Sequence, residues 1–385
     1  MAVSNFVTTL YTVGDGSIEK LRDYQEERIG LVVDDNIMKA LNLDQLLYND
    51  IFANTEHKVL CNVPTEPTIA MMKVPVQIVR EFMPDRIIGI GGGAVMDVAK
   101  ALKAFTEHSE LTWEEALIPY NIKEPERYVN LTVIPTTSGT GSETTGCSVM
   151  KDEENRKRMI LSKQIIPTEA ILDFTLLQSL PMKNIAYSGA DALAHALESA
   201  ISLRSNPMVK EISCQAAVTV IKYLAASYKG DMNARKKVHI AASMAGMGIG
   251  NAGTGMAHGM DQPGGDFHLP HGLMTGLALP YTMKYLMPQP EYIEVAEQLG
   301  ISGTDEEKQQ KLIQAVFELY RQIGMPMTLD EIGIPRDKYM EKIGLYADRA
   351  LQDANIINCP KNPNKEELEQ IYLSFYTGIF EGGNL

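Results

Sequence analysis

The stretch DRIIGIGGGAVMDVAKALKAFTE, residues 85–107, decides the fold. Its opening, DRIIGIGGG (85–93), reads as a buried β-strand that stops in glycines, and AVMDVAKALKAFTE (94–107) reads as the helix that follows. Outward from it the same alternation repeats. IGLVVDD (29–35) and HKVLCNV (57–63) lie before it, and YVNLTVIPTT (128–137) and AILDF (170–174) after it, all as short β-branched runs. TIAMMKVPVQIVREFM (68–83) is a further helical pattern between two of them. Strands alternating with helices imply parallel pairing in a doubly wound sheet, a Rossmann-like α/β layer.

From about Asn184 the strand signals fade. Long helical patterns take over in AYSGADALAHALESAIS, KEISCQAAVTVIKYLAASY and ARKKVHIAASMAGMGIGNAG. The expected architecture is an N-terminal α/β domain, residues 1–183, followed by an all-α domain, residues 184–385, with the boundary near LPMKN (180–184). A chain of 385 residues suits two such cores.

Composition narrows the class of function. The formal net charge of −14 would repel a phosphate backbone, so a nucleic-acid partner is not expected. No run approaches the ~18 apolar residues of a membrane span. The opening MAVSNFVTTLYTVGDGS lacks a basic segment followed by a long apolar one. A cytoplasmic protein is the expectation. Cys61, Cys147, Cys214 and Cys359 form no CxxC pair and read as reduced thiols.

Two loops can hold a nucleotide. In GIGGGAVMDVAK, glycines allow close backbone approach and a helix N-terminus offers free N–H groups to a pyrophosphate. The pattern is GGGxxxD rather than GxGxxG, and a plain strand-to-helix turn would also use glycines. PTTSGTGSETT (135–145) is a dense hydroxyl and glycine loop, which can equally be a helix start capped by Ser142 or Thr140. Both follow strands of one parallel sheet, and that places them at the same carboxyl edge, where ligands bind. Asp34 and Asp35 end the first strong strand, where an acid can accept from a ribose 2′-hydroxyl and repel a 2′-phosphate, or simply form a turn.

GADALAHALESA (189–200) sets Asp191 and His195 four apart on one helix face. His258, His268 and His271 follow within fourteen residues. One carboxylate and three imidazoles suit Fe2+, Zn2+ or another first-row divalent ion. An Asp-x-x-x-His pair is often just a surface pair, but this one sits in an alanine-rich context where an unpaired acid would be costly.

GGGAVMDVAKA, PTTSGTGSE, GADALAHALES and HGM…PHG occur in the order and at the separations of the iron-containing (group III) metal-dependent alcohol dehydrogenases, which the chain resembles over nearly its whole length. In type it is most similar to the sulfoacetaldehyde reductase, 4-hydroxybutyrate dehydrogenase and 1,3-propanediol dehydrogenase members. The resemblance implies the two-domain fold, a homodimer, NAD(H), and one divalent metal, Fe2+ or Zn2+, held by Asp191, His195, His258 and His271. It assigns Gly92, Gly93, Ala94 and Asp97 to the pyrophosphate and Thr136, Thr137, Thr140 and Thr145 to the cofactor's length. Leu176 falls to the nicotinamide side and Asp35 to the adenosine ribose. Cys147, Ile249, Thr254 and Cys359 would face the substrate, with Gln262 and His268 as candidates peculiar to this chain.

The chain departs from the family pattern in places. Where many members read HAMAH, whose second histidine is a proposed proton relay, this chain reads HGMDQ, putting Asp261 or Gln262 there. Glu66 and Arg158 stand where an asparagine and a lysine are common. The implied chemistry is hydride transfer between nicotinamide and an oxygen activated by a Lewis-acidic cation. The polar pocket residues point to a short aldehyde with a polar or anionic end, such as sulfoacetaldehyde (to isethionate) or succinic semialdehyde (to 4-hydroxybutyrate). The alternatives are a general short-chain alcohol or 1,3-propanediol dehydrogenase, a relative of the dehydroquinate synthase and glycerol dehydrogenase branch, and a non-catalytic nucleotide or metal sensor.

Overall fold

The computed structural model describes residues 5–24, 28–380 and 383–384. The first four residues of the segment read for a leader therefore lie outside the described residues. The chain forms two compact units: Thr8–Thr137 with Gly141–Leu180, and Pro181–Leu385 with Ser138–Thr140 and the described residues before Thr8.

The first unit is built on six parallel strands: β1 Leu10–Gly14, β2 Ile29–Val33, β3 His57–Asn62, β4 Arg86–Gly91, β5 Asn130–Pro135 and β8 Glu169–Asp173. Their order is β1-β8-β5-β4-β2-β3. β2 and β4 are buried at every position, as their unbroken apolar runs require for strands covered on both faces. One face packs on Val79, Val95, Val98, Leu102 and Phe105, the other on Leu21, Met38, Leu47 and Phe52. Two features had no clear sequence signal. β1 shows no apolar alternation and carries exposed Leu10 and Val13. β6 (Cys147–Lys151) and β7 (Lys157–Leu161) pair as an antiparallel hairpin outside the main sheet.

This topology sets the ligand edge. β2 leads to β3 on one side, and the chain then crosses to β4 on the other, so the strand order reverses between β2 and β4. That switch point opens a crevice at the strands' carboxyl ends. Gly91 and Pro135 are in register across β4 and β5, which brings the glycine turn beside the hydroxyl loop, and Thr136 N–H donates to the Gly91 carbonyl at 3.0 Å. A side chain at Gly91 would come within 2.5 Å of Val95, so the tight entry into the helix Gly93–Glu107 needs glycine there.

The second unit is helical. Helix Met182–Ile201 is buried along most of its length and packs on helices Pro207–Tyr228, Met232–Ala252 and His271–Leu286. Its alanines and glycines permit this. A Cβ at Gly272 would stand 2.4 Å from the Tyr187 carbonyl oxygen and 3.2 Å from Asp191 Cβ, so helix His271–Leu286 seats its first turn directly on the helix that carries Asp191. Among the described residues no helix is long and apolar enough to cross a membrane.

Candidate metal centre and cofactor cradle

Gly92 is the N-cap of helix Gly93–Glu107, whose first turn carries no acid. The N–H groups of that turn have no helical partner and, with the dipole, suit a pyrophosphate. Gly92, Gly93 and Ala94 are half-buried there. Thr137 lies close by, its Cγ2 3.5 Å from where a Cβ on Gly92 would sit. Thr136 is buried with a hydroxyl that finds no hydrogen-bond partner, an orphan that a bound cofactor would satisfy. Thr140 is half-buried and falls within the helical unit.

Asp97 and Thr145 have other employment. Lys100 is fully buried, and its Nζ donates to Ser142 Oγ at 2.6 Å, Thr145 Oγ1 at 2.9 Å and the Cys147 carbonyl at 2.7 Å. Asp97 accepts from Ser142 Oγ at 2.8 Å and from Val149 N–H at 3.1 Å. Burial pushes the Lys100 ammonium down and the Asp97 carboxyl up. Asp97 and Thr145, expected along the cofactor, thus take part in an internal hub with Lys100 and Ser142. It ties the hydroxyl loop and β6 to the helix beneath.

Of the two acids after β2, Asp34 caps the helix Asp35–Ala40 by accepting from Asn36 N–H at 2.8 Å. Asp35 is exposed and exchanges hydrogen bonds with the Asn62 side chain at 3.1 and 2.8 Å. Leu176 is buried in the sheet core with Val33, Ile134 and Ile171, and lines a cavity of about 450 Å³ with Leu41, Leu43 and Leu46, just downstream of Asp35. Glu66 pairs with Lys151, and Arg158 is exposed on β7.

In the helical unit, helix Met182–Ile201 projects Asp191, His195 and Glu198 from one face, each at most 4 % exposed. His258 comes from the short helix Met256–Gly259, and His271 opens helix His271–Leu286. Ligand atoms of Asp191, His195 and His258 all lie within 4.8 Å of one another. Asp191 Oδ1 is 3.9 Å from His195 Nε2, 3.6 Å from His258 Nε2 and 3.8 Å from His271 Nε2. These gaps are too long for hydrogen bonds. Metal–ligand bonds of about 2.0–2.2 Å place tetrahedral ligands about 3.3–3.6 Å apart, so the spacing is close to that needed around one cation.

Each candidate ligand has an outer partner. His258 Nδ1 lies 2.5 Å from Glu198 Oε2, and Glu198 Oε1 accepts from the Ala257 N–H. His271 Nδ1 is 2.8 Å from Asp261 Oδ2, His195 Nδ1 is 3.4 Å from the Gly139 carbonyl, and Thr275 Oγ1 donates to Asp191 at 2.8 Å. With Nδ1 serving as donor to these groups, Nε2 keeps its lone pair for a cation. His258 Nε2 is buried and has no hydrogen-bond partner. Burial alone would raise the Asp191 carboxyl, yet the three facing imidazoles hold it well below the carboxylate range. Burial pushes His195 down to about 4. His258 stands at about 10 because Glu198 and Asp191 outweigh its burial. The residues present fit a divalent metal.

Glu198, Thr275 and the Gly139 carbonyl are contributions that sequence reasoning missed. Glu198 lies inside the quoted GADALAHALES and shares a face with Asp191 and His195, which was its available signal.

The substrate-facing candidates separate. Thr254 Oγ1 donates to Asn355 Oδ1 at 2.7 Å, and the Cys359 Sγ lies 3.7 Å from the Asn355 carbonyl, so these two share a neighbourhood. Cys359 is 2 % exposed, and its thiol is pushed up by burial and by Glu198. Ile249 is half-buried near the end of its helix. Gln262 turns back to the Gly259 carbonyl at 3.4 Å. His268 is exposed in a left-handed turn with φ of 53°. Cys147 begins β6 in the first unit, its thiol raised to about 12 by burial.

The family described as iron-containing alcohol dehydrogenase matches residues 8–174, and its C-terminal part matches residues 185–376. An NADPH-dependent butanol dehydrogenase from Clostridium saccharobutylicum is 33% identical over 95% of this chain and 96% of its own length. The iron-containing alcohol dehydrogenase from Thermococcus thioreducens has a solved structure that superposes with a TM-score of 0.88 at 31% identity, covering 98% of this chain and 100% of that one. The sulfoacetaldehyde reductase of Bifidobacterium kashiwanohense superposes with a TM-score of 0.87 over 98% of this chain and 100% of its own, and at 23% identity that likeness concerns the fold alone. Metal and NAD(P) binding are what this kinship implies. With a parallel sheet ending in a phosphate-ready turn and three imidazoles gathered on one buried carboxylate, the chain is an oxidoreductase belonging to the iron-containing alcohol dehydrogenase family.

Proposed function

We propose that the chain reversibly transfers hydride between NAD(H) and a short, uncharged alcohol or aldehyde, using one Fe2+ or Zn2+ held by Asp191, His195, His258 and His271. The observation that carries this reading is the convergence of three Nε2 atoms on Asp191 Oδ1, at 3.6–3.9 Å, with each Nδ1 engaged elsewhere. When bound, the cation supplies Lewis acidity to the substrate oxygen.

The chain's own residues do the positioning. Glu198 and Asp261 fix the tautomers of His258 and His271, and Thr275 orients Asp191. The glycine turn and the unpartnered Thr136 hydroxyl would hold the cofactor. Asp35, exposed beyond β2, would accept from a ribose hydroxyl and repel a 2′-phosphate, which supports NADH over NADPH.

The surroundings of the cluster bear on the substrate. Glu198 and Asp261 set carboxylates against His258 and His271. An anionic aldehyde would meet that charge unfavourably. This turns the reading from sulfoacetaldehyde or succinic semialdehyde towards neutral compounds such as butanal or 3-hydroxypropanal, in keeping with the butanol dehydrogenase kinship. Comparing kcat/KM for butanal, 3-hydroxypropanal, sulfoacetaldehyde and succinic semialdehyde tests it. The neutral pair should lead by at least tenfold, and a lead for either anion would overturn the preference. A cytoplasmic homodimer completes the proposal, with light scattering as the check on its mass.

A further inference from the structure

We propose that Asp261 is a positioning residue that holds His271 onto the metal and sets how long the ion stays, an inference that rests on the metal reading above. Three observations carry it. His271 is the exposed member of the histidine set, its side chain 32% accessible against 6% and 7% for His195 and His258. Solvent can therefore compete for its place. Its Nδ1 meets Asp261 Oδ2 at 2.8 Å, and the Asp261 side chain is itself 13% accessible. Finally, Asp261 occupies the N-cap of the helix Gln262–Asp266 yet makes no side-chain capping bond, although aspartate is a favoured cap. Its carboxylate is directed to the imidazole instead.

The position also links two ligands. Asp261 N–H donates to the His258 carbonyl at 3.4 Å while its carboxylate takes His271, so the turn after one ligand steers the other. In the HGMDQ segment the neighbouring Gln262 turns to the backbone of Gly259. The segment therefore supplies an outer partner for a ligand, where a HAMAH segment would supply a second histidine. A carboxylate against Nδ1 fixes the tautomer, orients the ring and raises the basicity of Nε2.

The test is the affinity and dissociation rate of Zn2+, measured on the full chain by competition with a chromogenic chelator. Asp261→Ala should weaken binding about 10- to 100-fold and speed dissociation accordingly. Asp261→Asn keeps the acceptor without the charge and should fall between. In a His271→Ala background, Asp261→Ala should have no further effect, because the residue acts through that ring. Wild-type affinity in Asp261→Ala, or an undiminished effect without His271, would overturn the proposal alone. A wild-type chain with no measurable Zn2+ affinity would overturn the metal reading and this proposal with it.

Discussion

Glu198 shows what single residues contribute to the centre. It is buried, and its two oxygens serve the Ala257 N–H and the His258 ring. Glu198→Ala strands those donors in the interior and should cost about 3 kcal/mol or more in urea denaturation. Glu198→Gln preserves the shape and should chiefly lower metal affinity, about 10- to 100-fold by chelator competition. The four ligand candidates were readable because Asp191 and His195 are four apart and the later histidines cluster. Glu198 was not, since a helical glutamate is ordinarily solvated and its partner lies 60 residues away. Asp261, which stands near where many family members carry a second histidine, is hydrogen-bonded to His271. His268 sits in the same histidine-rich segment, exposed in a left-handed turn.

At the scale of elements, the close seating of helix His271–Leu286 on helix Met182–Ile201 aims His271 at Asp191. Gly272→Ala would force a methyl to 2.4 Å from the Tyr187 carbonyl and push the helices apart. It should abolish tight metal binding while circular dichroism keeps its helical content. In the other unit the Lys100 hub fixes the hydroxyl loop. Lys100→Met leaves three acceptors unserved and should raise the NADH dissociation constant at least tenfold, with Zn2+ affinity unchanged. The strands β2, β3, β4, β5 and β8 were legible as short β-branched runs. β1 and the β6–β7 hairpin were not, because partly exposed strands lack both an unbroken apolar run and a clean alternation. The hub escaped for a related reason, since a lysine in a helix reads as a surface charge until its three acceptors are brought to it.

The whole molecule should also respond to acid through a histidine outside the metal cluster. His239 is buried beside Ser138 Oγ at 3.0 Å, and burial pushes its imidazole from 6.5 down to about 4. The folded value lies below the unfolded one, so the unfolded chain takes up the proton first. His239's contribution to stability is therefore full above pH 6.5 and is lost as pH falls from there towards 4. Each pH unit in that window should cost about 1.4 kcal/mol. Denaturation followed at several pH values checks this, and His239→Leu should flatten the slope whatever its effect on the midpoint.

One cation joining Asp191, His195, His258 and His271 is the centre of the proposed chemistry. The direct measurement is NADH oxidation with butanal by protein stripped with a chelator and then titrated with Fe2+ or Zn2+. Turnover should be absent in the stripped protein, return with the added ion to a plateau at one equivalent per chain, and fail to return in Asp191→Ala. Full turnover without the ion, or its unimpaired return in Asp191→Ala, would contradict the account.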